Sequence, residues 1–387
     1  MLTTMSDRPI VCLVMNAKVD PPTIERALNS VNGIVDHYVI STTPGDTLEQ
    51  YIQQYLHCMR KYGMTFTFER ENGGQMRTRL FEEAAIYGKR HGVTHFLNLD
   101  ADDEIAVDPG FSWDFVHHFP VWSIHEHADG FTWDFPRIFS TAHEWRWKYP
   151  LHEIPVSDTF DQKDVARAPK LRYVRHHDDT RGPGYYQVHA DIIERWMAES
   201  EENASDPRMT FYMAQSLEAA GKSDDAAMWY DCRAKMTTGL KDEAWLASYR
   251  AAKLRAMKAN VEPTPEKVKP VIDELVSVGN ADGRRCEPFV IAAQLARFAG
   301  RHDVALGLAE HALRMPFPTA LPHLDMLAWE YGRDGEYLSA CFHTGQFPQA
   351  LTTVERMLAS GKVPESEVER LTMAAAALKD MIAGKAP

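Results

Sequence analysis

The stretch Thr94-His-Phe-Leu-Asn-Leu-Asp-Ala-Asp-Asp-Glu-Ile105 decides how the first half of this chain is read. A short apolar run, Phe96 to Leu99, has the length of a buried strand. It ends in four carboxylates within five residues: Asp100, Asp102, Asp103 and Glu104. Like charges this close repel, so a folded protein needs a reason to gather them. A divalent cation is the usual one, because carboxylate oxygens suit Mg²⁺ and Mn²⁺. The alternative is a solvated turn in which an aspartate caps the next helix.

Working outward, Ile10–Val14 is a continuous apolar run, the pattern of a strand buried on both faces. Ile24, Ala27, Leu28 and Val31 follow at helical spacing, with Thr23 as N-cap and Gly33 as stop. Tyr38–Ile40 is a second strand, and Leu48, Ile52, Tyr55, Leu56 and Met59 share one face of a second helix. Met64, Phe66 and Phe68 alternate as in a strand, and Met76, Leu80, Ala84 and Tyr87 mark a third helix closed by Gly92. The order is β-α-β-α-β-α-β, which predicts an α/β domain with a Rossmann-like, mostly parallel sheet. Such sheets bind ligands beyond the carboxyl ends of their strands, where the acidic cluster falls. No Gly-x-Gly-x-x-Gly follows the first strand and no Walker lysine motif occurs, so dehydrogenase and P-loop readings fail. An EF-hand fails too, since Ile105 and Phe111 stand where its Gly and Glu belong.

Four segments carry a resemblance: Met15-Asn16 at the end of strand one, Thr42-Thr-Pro-Gly-Asp46, Gln75-Met-Arg77, and Leu99-Asp-Ala-Asp102. Together they resemble a family 2 glycosyltransferase of the GT-A fold, over about residues 9–180. The resemblance implies a nucleotide-diphosphate sugar donor, by family default a UDP-sugar. Met15, Asn16, Thr42, Thr43, Asp46, Arg77, Asp100 and Ala101 would contact that donor. Asp100 and Asp102 would hold Mn²⁺ or Mg²⁺ on its diphosphate, with His176 or His177 as a further ligand. Glu153, in Trp147-Lys-Tyr-Pro-Leu-His-Glu153, would deprotonate the acceptor hydroxyl for an inverting transfer, with Asp134 and Asp178 behind it. Two departures leave the base open: Asn16-Ala17 replaces the family's Asn-Glu, and Ser41 or Thr42 stands where an Asp is usual. Between the acidic cluster and Glu153, Phe131, Trp133 and Phe135 alternate, as do Trp145 and Trp147. They are read as strands that either line an aromatic cleft for sugar rings or simply fill core.

From about Asp206 strand signals vanish. Ala214…Gly221-x₄-Ala226, Ala293…Gly300-x₄-Ala305 and Ala340…Gly345-x₄-Ala350 share a Gly followed five residues later by Ala, each Gly separating two helices. This predicts an α-solenoid, and the placement of Gly and Ala resembles degenerate tetratricopeptide repeats. The expected domains are 1–200 (α/β) and 201–387 (all-α repeat). Solenoids present surfaces for peptides and partner proteins, and this one could equally pair two copies of the chain. The acceptor class stays open among a protein or peptide, a glycan and a hydroxylated DNA base. The reading from a different class is a non-catalytic helical-repeat adaptor or binding protein whose sheet domain has lost activity.

Composition bounds these readings. The 387 residues exceed one typical domain, and 44% are hydrophobic, enough for sizeable cores. The formal net charge of −13 argues against an extended nucleic-acid groove. Five scattered cysteines, odd in number and never in a Cys-x-x-Cys pair, fit reduced thiols. With no membrane-length apolar run and no secretory signal pattern, the expectation is a soluble, cytoplasmic protein.

Overall fold

The structure is a computed structural model describing residues 8–45, 47–67, 72–128, 131–160, 164–176, 181–318 and 324–385. The chain divides into two compact units, residues 1–181 and 182–387.

The first unit opens with β1 (Val11–Asn16), α1 (Pro21–Val31), β2 (His37–Thr42), α2 (Leu48–Cys58), β3 (Tyr62–Thr67), α3 (Gly73–His91) and β4 (His95–Asn98). Strands β3, β2, β1 and β4 are parallel neighbours in that order. β1 alternates between two cores: Val11, Leu13 and Met15 pack with Ile24, Leu28, Ile52 and Leu56 of α1 and α2. Cys12 and Val14 face the other way, toward Leu80, Phe81 and Ala84 of α3. That two-sided burial is why strand one reads as an unbroken apolar run.

The sheet then changes character. β5 (Glu104–Val107), β6 (Val121–Ala128), β7 (Phe131–Ser140) and β10 (Val165–Val174) complete an eight-stranded sheet of order β3-β2-β1-β4-β7-β6-β10-β5. β7 is antiparallel to both β4 and β6, β10 is parallel to β6, and β5 is antiparallel to β10. The sheet is therefore mixed, where the sequence pattern led us to expect mostly parallel pairing. Periodicity identifies a strand without telling its direction. β8 (Arg146–Lys148) and β9 (Ile154–Val156) form a separate two-stranded ribbon. Trp145 and Trp147 are buried in the α3-side core with Phe81, Phe96 and Phe139. That is the core alternative for these two rings, not a cleft wall.

The second unit is helical: α4 (Pro183–Met197), α5 (Glu201–Ala204), α6 (Pro207–Ala219), α7 (Ser223–Lys235), α8 (Lys241–Ala259), α9 (Pro265–Asp282), α10 (Glu287–Phe298), α11 (His302–Arg314), α12 (Arg333–His343), α13 (Phe347–Ala359) and α14 (Glu365–Ile382). From α6 onward each helix packs on the next, and α10 also touches α8 and α12. Gly221, Gly300 and Gly345 sit in the turns between α6 and α7, α10 and α11, and α12 and α13, all with positive φ. A left-handed turn residue is what glycine supplies without strain. The alanine five residues on, Ala226, Ala305 or Ala350, is buried and lets the paired helices approach. The segment Glu262–Pro270, left between linker and helix start, enters α9, with Thr264 capping at the amide of Lys267. α4 packs on α6 and belongs with the helical unit, so that unit begins before residue 201. No helix among the described residues is long and apolar enough to cross a membrane.

Candidate functional site

The strand order reverses at β1 and β4, since α1 leads leftward to β2 while β4 lies on the other side of β1. Open α/β sheets form a crevice at such a point. Asp100 stands at its rim, two residues beyond β4, and Asn16 ends β1. Asn98, fully buried at the end of β4, donates from its amide to the carbonyl of Val14, 3.2 Å, tying the two strand ends together.

Asp100 is surrounded by cations. Arg77 donates to its Oδ1 at 2.6 Å and Arg137 to its Oδ2 at 3.0 Å. The Tyr173 hydroxyl donates to Oδ2 at 3.0 Å and accepts the Asp100 backbone N–H at 3.1 Å. Arg137 is only 2% exposed, and its guanidinium lies 4.0 Å from the centre of the Tyr173 ring and 5.0 Å from that of Phe135. Burial alone would push the Asp100 carboxyl up. The two arginines and the tyrosine hydrogen bond outweigh it and hold the carboxyl well below its usual range. Burial likewise opposes the charge on Arg77, but Asp100 and Glu153 raise its basicity further. Burial and the nearby carboxylates lift the Tyr173 phenol, which stays protonated as a donor.

Arg77 is held by α3. Asn72 caps this helix by accepting the Gln75 amide at 2.9 Å, placing Arg77 in its first turns. Its guanidinium also reaches Asn98 Oδ1 at 3.2 Å and lies 3.7 Å from Glu153 Oε2. Glu153 in turn sits over the start of α3, where the helix dipole favours an anion. A side chain on Gly73 would overlap its carboxylate, and one on Gly74 would overlap the carbonyl of Tyr149. The connecting loop carries two non-glycine residues with positive φ, Tyr149 at 80° and His152 at 53°. Such strain is kept only where surrounding contacts enforce it. Here the Gly73 amide bonds the Pro150 carbonyl at 2.7 Å, and Thr78 and the Trp147 amide meet at 2.8 Å.

The remaining acids have separate tasks. Asp103 accepts the His176 backbone N–H at 3.0 Å, and burial raises its carboxyl above the ordinary value. The His176 imidazole bonds Glu104 at 2.6 Å, and Glu104 also pairs with Arg26 at 3.2 Å. Arg26 donates to the Asp102 backbone carbonyl at 2.6 Å. The Asp102 carboxylate is half-buried and pairs with no cation among the described residues.

The structure therefore brings Arg77, Asp100 and Glu153 together, and the other described residues predicted for the site take no part in that contact. Met15 and Ala101 are buried in the core, and Asn16 accepts a hydrogen bond from Ser41. Thr42 is buried, and neither its hydroxyl nor that of Thr43 has a partner among the described residues. Asp134 is at the exposed face of β7 with His125 and Arg167. Asp46, His177 and Asp178 lie outside the described residues. Two residues that sequence reasoning missed, Arg137 and Tyr173, complete the network. The signal for Arg137 is its alternation with Phe135 and Phe139, which puts a guanidinium on an inward-facing strand position.

The predicted metal centre is corrected on the donor set. Among the described residues no group of three or more His, Cys, Asp or Glu side chains could hold a metal ion. Both oxygens of Asp100 already accept from arginine, so the positive charge that Mn²⁺ or Mg²⁺ was expected to supply comes from the chain. His176 is turned to Glu104 instead of to the Asp-x-Asp carboxylates.

No family model matches the chain, and no curated protein matches it. Among solved structures it is similar to MamA (41 to end) from Desulfovibrio magneticus RS-1, at 16% identity and a TM-score of 0.32, covering 48% of this chain and 87% of that one. It is similar to a thermophilic TPR protein of Thermus thermophilus, at 15% identity and a TM-score of 0.32, covering 50% and 91%. It is also similar to BtubC from P. vanneervenii, at 13% identity and a TM-score of 0.36, covering 54% and 86%. These findings correct the family 2 glycosyltransferase assignment and, with it, the GT-A label, the nucleotide-sugar donor and the inverting transfer. No family model and no curated protein supports it.

Proposed function

We propose that this protein is a binding protein whose helical unit, a tetratricopeptide-like repeat array, docks a protein or peptide partner. The observation that carries this reading is the packing of α8, α10 and α12. α10 touches both of the others, so the first helices of successive pairs share one face. Between α8 and α10 that face holds an open groove. A surface built from repeated helix pairs is extended and side-chain-lined, which suits recognition of a chain segment. The α/β unit fits the same reading, because Asp100, the first carboxylate of its acidic cluster, is paired within the chain to Arg77 and Arg137.

The test is selection of displayed random peptides on the full chain. The reading predicts enriched peptides whose binding is lost in Met257→Asp or Gln294→Arg on the groove and kept in Asp100→Asn. Failure to enrich any peptide, or enrichment indifferent to both groove variants, contradicts it.

A further inference from the structure

We infer that the open edge of β3 (Tyr62–Thr67) is a self-association surface, on which a second copy of this chain adds its own β3 antiparallel and joins the two sheets. This surface belongs to the α/β unit and owes nothing to the helical groove.

The eight-stranded sheet ends in β3 on one side and in β5 on the other. Among the described residues β3 pairs with β2 alone, so its far side presents backbone N–H and C=O groups to an added strand. Both faces of β3 are already held. Met64 and Phe66 pack into the α3-side core, and the Thr65 hydroxyl on the opposite face donates to Glu49 at 3.0 Å and accepts from Gln53 at 2.6 Å. The strand is therefore fixed in extended form, with only its edge to offer.

The two edges differ in how they are guarded. β5 has four residues, begins with Glu104, which pairs with Arg26 and His176, and is followed by Asp108, which pairs with Arg172. Short strands and charges are what keep an edge from pairing. β3 runs Tyr-Gly-Met-Thr-Phe-Thr over six residues, with no charge and no proline. The neighbouring Lys61 is drawn away, its ammonium donating to the carbonyls of Asn32 at 2.8 Å and Val35 at 3.2 Å. Tyr62 is left 74% exposed, the second-largest exposure among the large apolar side chains of the described residues.

The side-chain pattern selects a second copy. Tyr62, Met64 and Phe66 alternate onto one face. Antiparallel pairing centred on Met64 sets Tyr62 opposite the second copy's Phe66, Met64 opposite its own counterpart, and Gly63 opposite Thr65. Each opposed pair then lies on one side of the joined sheet, where aromatic cross-strand pairs are favourable. The edge is thus its own complement, and an uncharged strand has nothing to select a charged partner. A two-fold contact of this kind closes at two copies.

Sedimentation velocity on the full chain over a range of concentrations tests this, with hydrogen exchange measured at the lowest and the highest. The expected result is a reversible monomer–dimer equilibrium in the micromolar range, because one strand pair is a small interface. Amides of β3 should exchange more slowly in the dimer. Tyr62→Lys changes a side chain that stands in water, so the fold is kept; the two-fold repeats the added charge, and dimerisation should weaken roughly tenfold. Tyr62→Phe should preserve it. Ile86→Lys, an exposed apolar position on α3, should leave it unchanged. A chain that stays monomeric up to hundreds of micromolar overturns the inference. So does a dimer indifferent to Tyr62→Lys, or one whose added protection falls outside β3. Peptide selection by the helical unit is read separately and is untouched by any of these results.

Discussion

At the scale of single residues, the first unit turns on how one carboxylate is neutralised. Asp100 was conspicuous in the sequence because it opens a run of acids. Its partner Arg137 was not, because it lies on a later strand in chemistry-poor surroundings and only the sheet register brings it near. Removing one partner of a buried, hydrogen-bonded ion pair leaves the other uncompensated. Arg137→Met should therefore destabilise the protein by about 3 kcal/mol, read from urea unfolding. The pH dependence has a definite sign. The folded-state carboxyl of Asp100 is depressed, so its stabilisation is complete above the unfolded value of about 4 and fades as pH falls toward the folded one. Asp100→Asn should lower stability at neutral pH and flatten the acid limb below about pH 4 relative to wild type. Adding Mn²⁺ or Mg²⁺ should leave the unfolding midpoint where it is. A cation-dependent rise that Asp100→Asn abolishes would restore the metal centre.

At the scale of elements, close approaches were the least legible features. The apolar periodicity of α1, α2 and α3 was open to reading, and so was the Gly-x₄-Ala pattern of the helix pairs. What sequence could not supply was which glycines are small because something presses on them. Gly73 is one: Glu153 occupies the space a side chain would need. Gly279 of α9 is another, lying against the ring of Phe289 on α10. Gly279→Ala forces that ring aside and should cost about 1–3 kcal/mol of stability, while the exposed control Gly307→Ala should not. α10 also begins with a buried carboxylate, Glu287, only 1% exposed, which accepts the Asp325 amide at 3.3 Å. Burial raises its carboxyl above the ordinary value. For a raised folded-state group the favourable contribution is complete below the unfolded value, about 4.3, and is lost as pH rises through the folded one. Glu287→Gln, which keeps an acceptor there, should raise the stability of the helical unit at neutral pH. Unfolding curves at pH 7 and near pH 5 should show that gain shrinking as pH falls.

At the scale of the whole chain, sequence separated an α/β unit from a helical one because their periodicities differ, near 2 and near 3.6. The mixed sheet escaped it, since β7 reverses direction without any local mark. The functional assignment went astray for a related reason. An Asp-x-Asp beyond a strand looks the same in sequence whether a metal or two arginines will meet it, and only tertiary placement decides. The groove on α8 and α10 was invisible for the opposite reason. Lys253 and Gln294 are ordinary surface residues in the sequence, and only the packing of α8 on α10 brings them to one groove. Hydrogen exchange on the full chain, with and without a selected peptide at saturation, tests the account most directly. The binding reading predicts protection gained on α8 and α10. Protection confined to the first unit, or none anywhere while the peptide is bound, would contradict it.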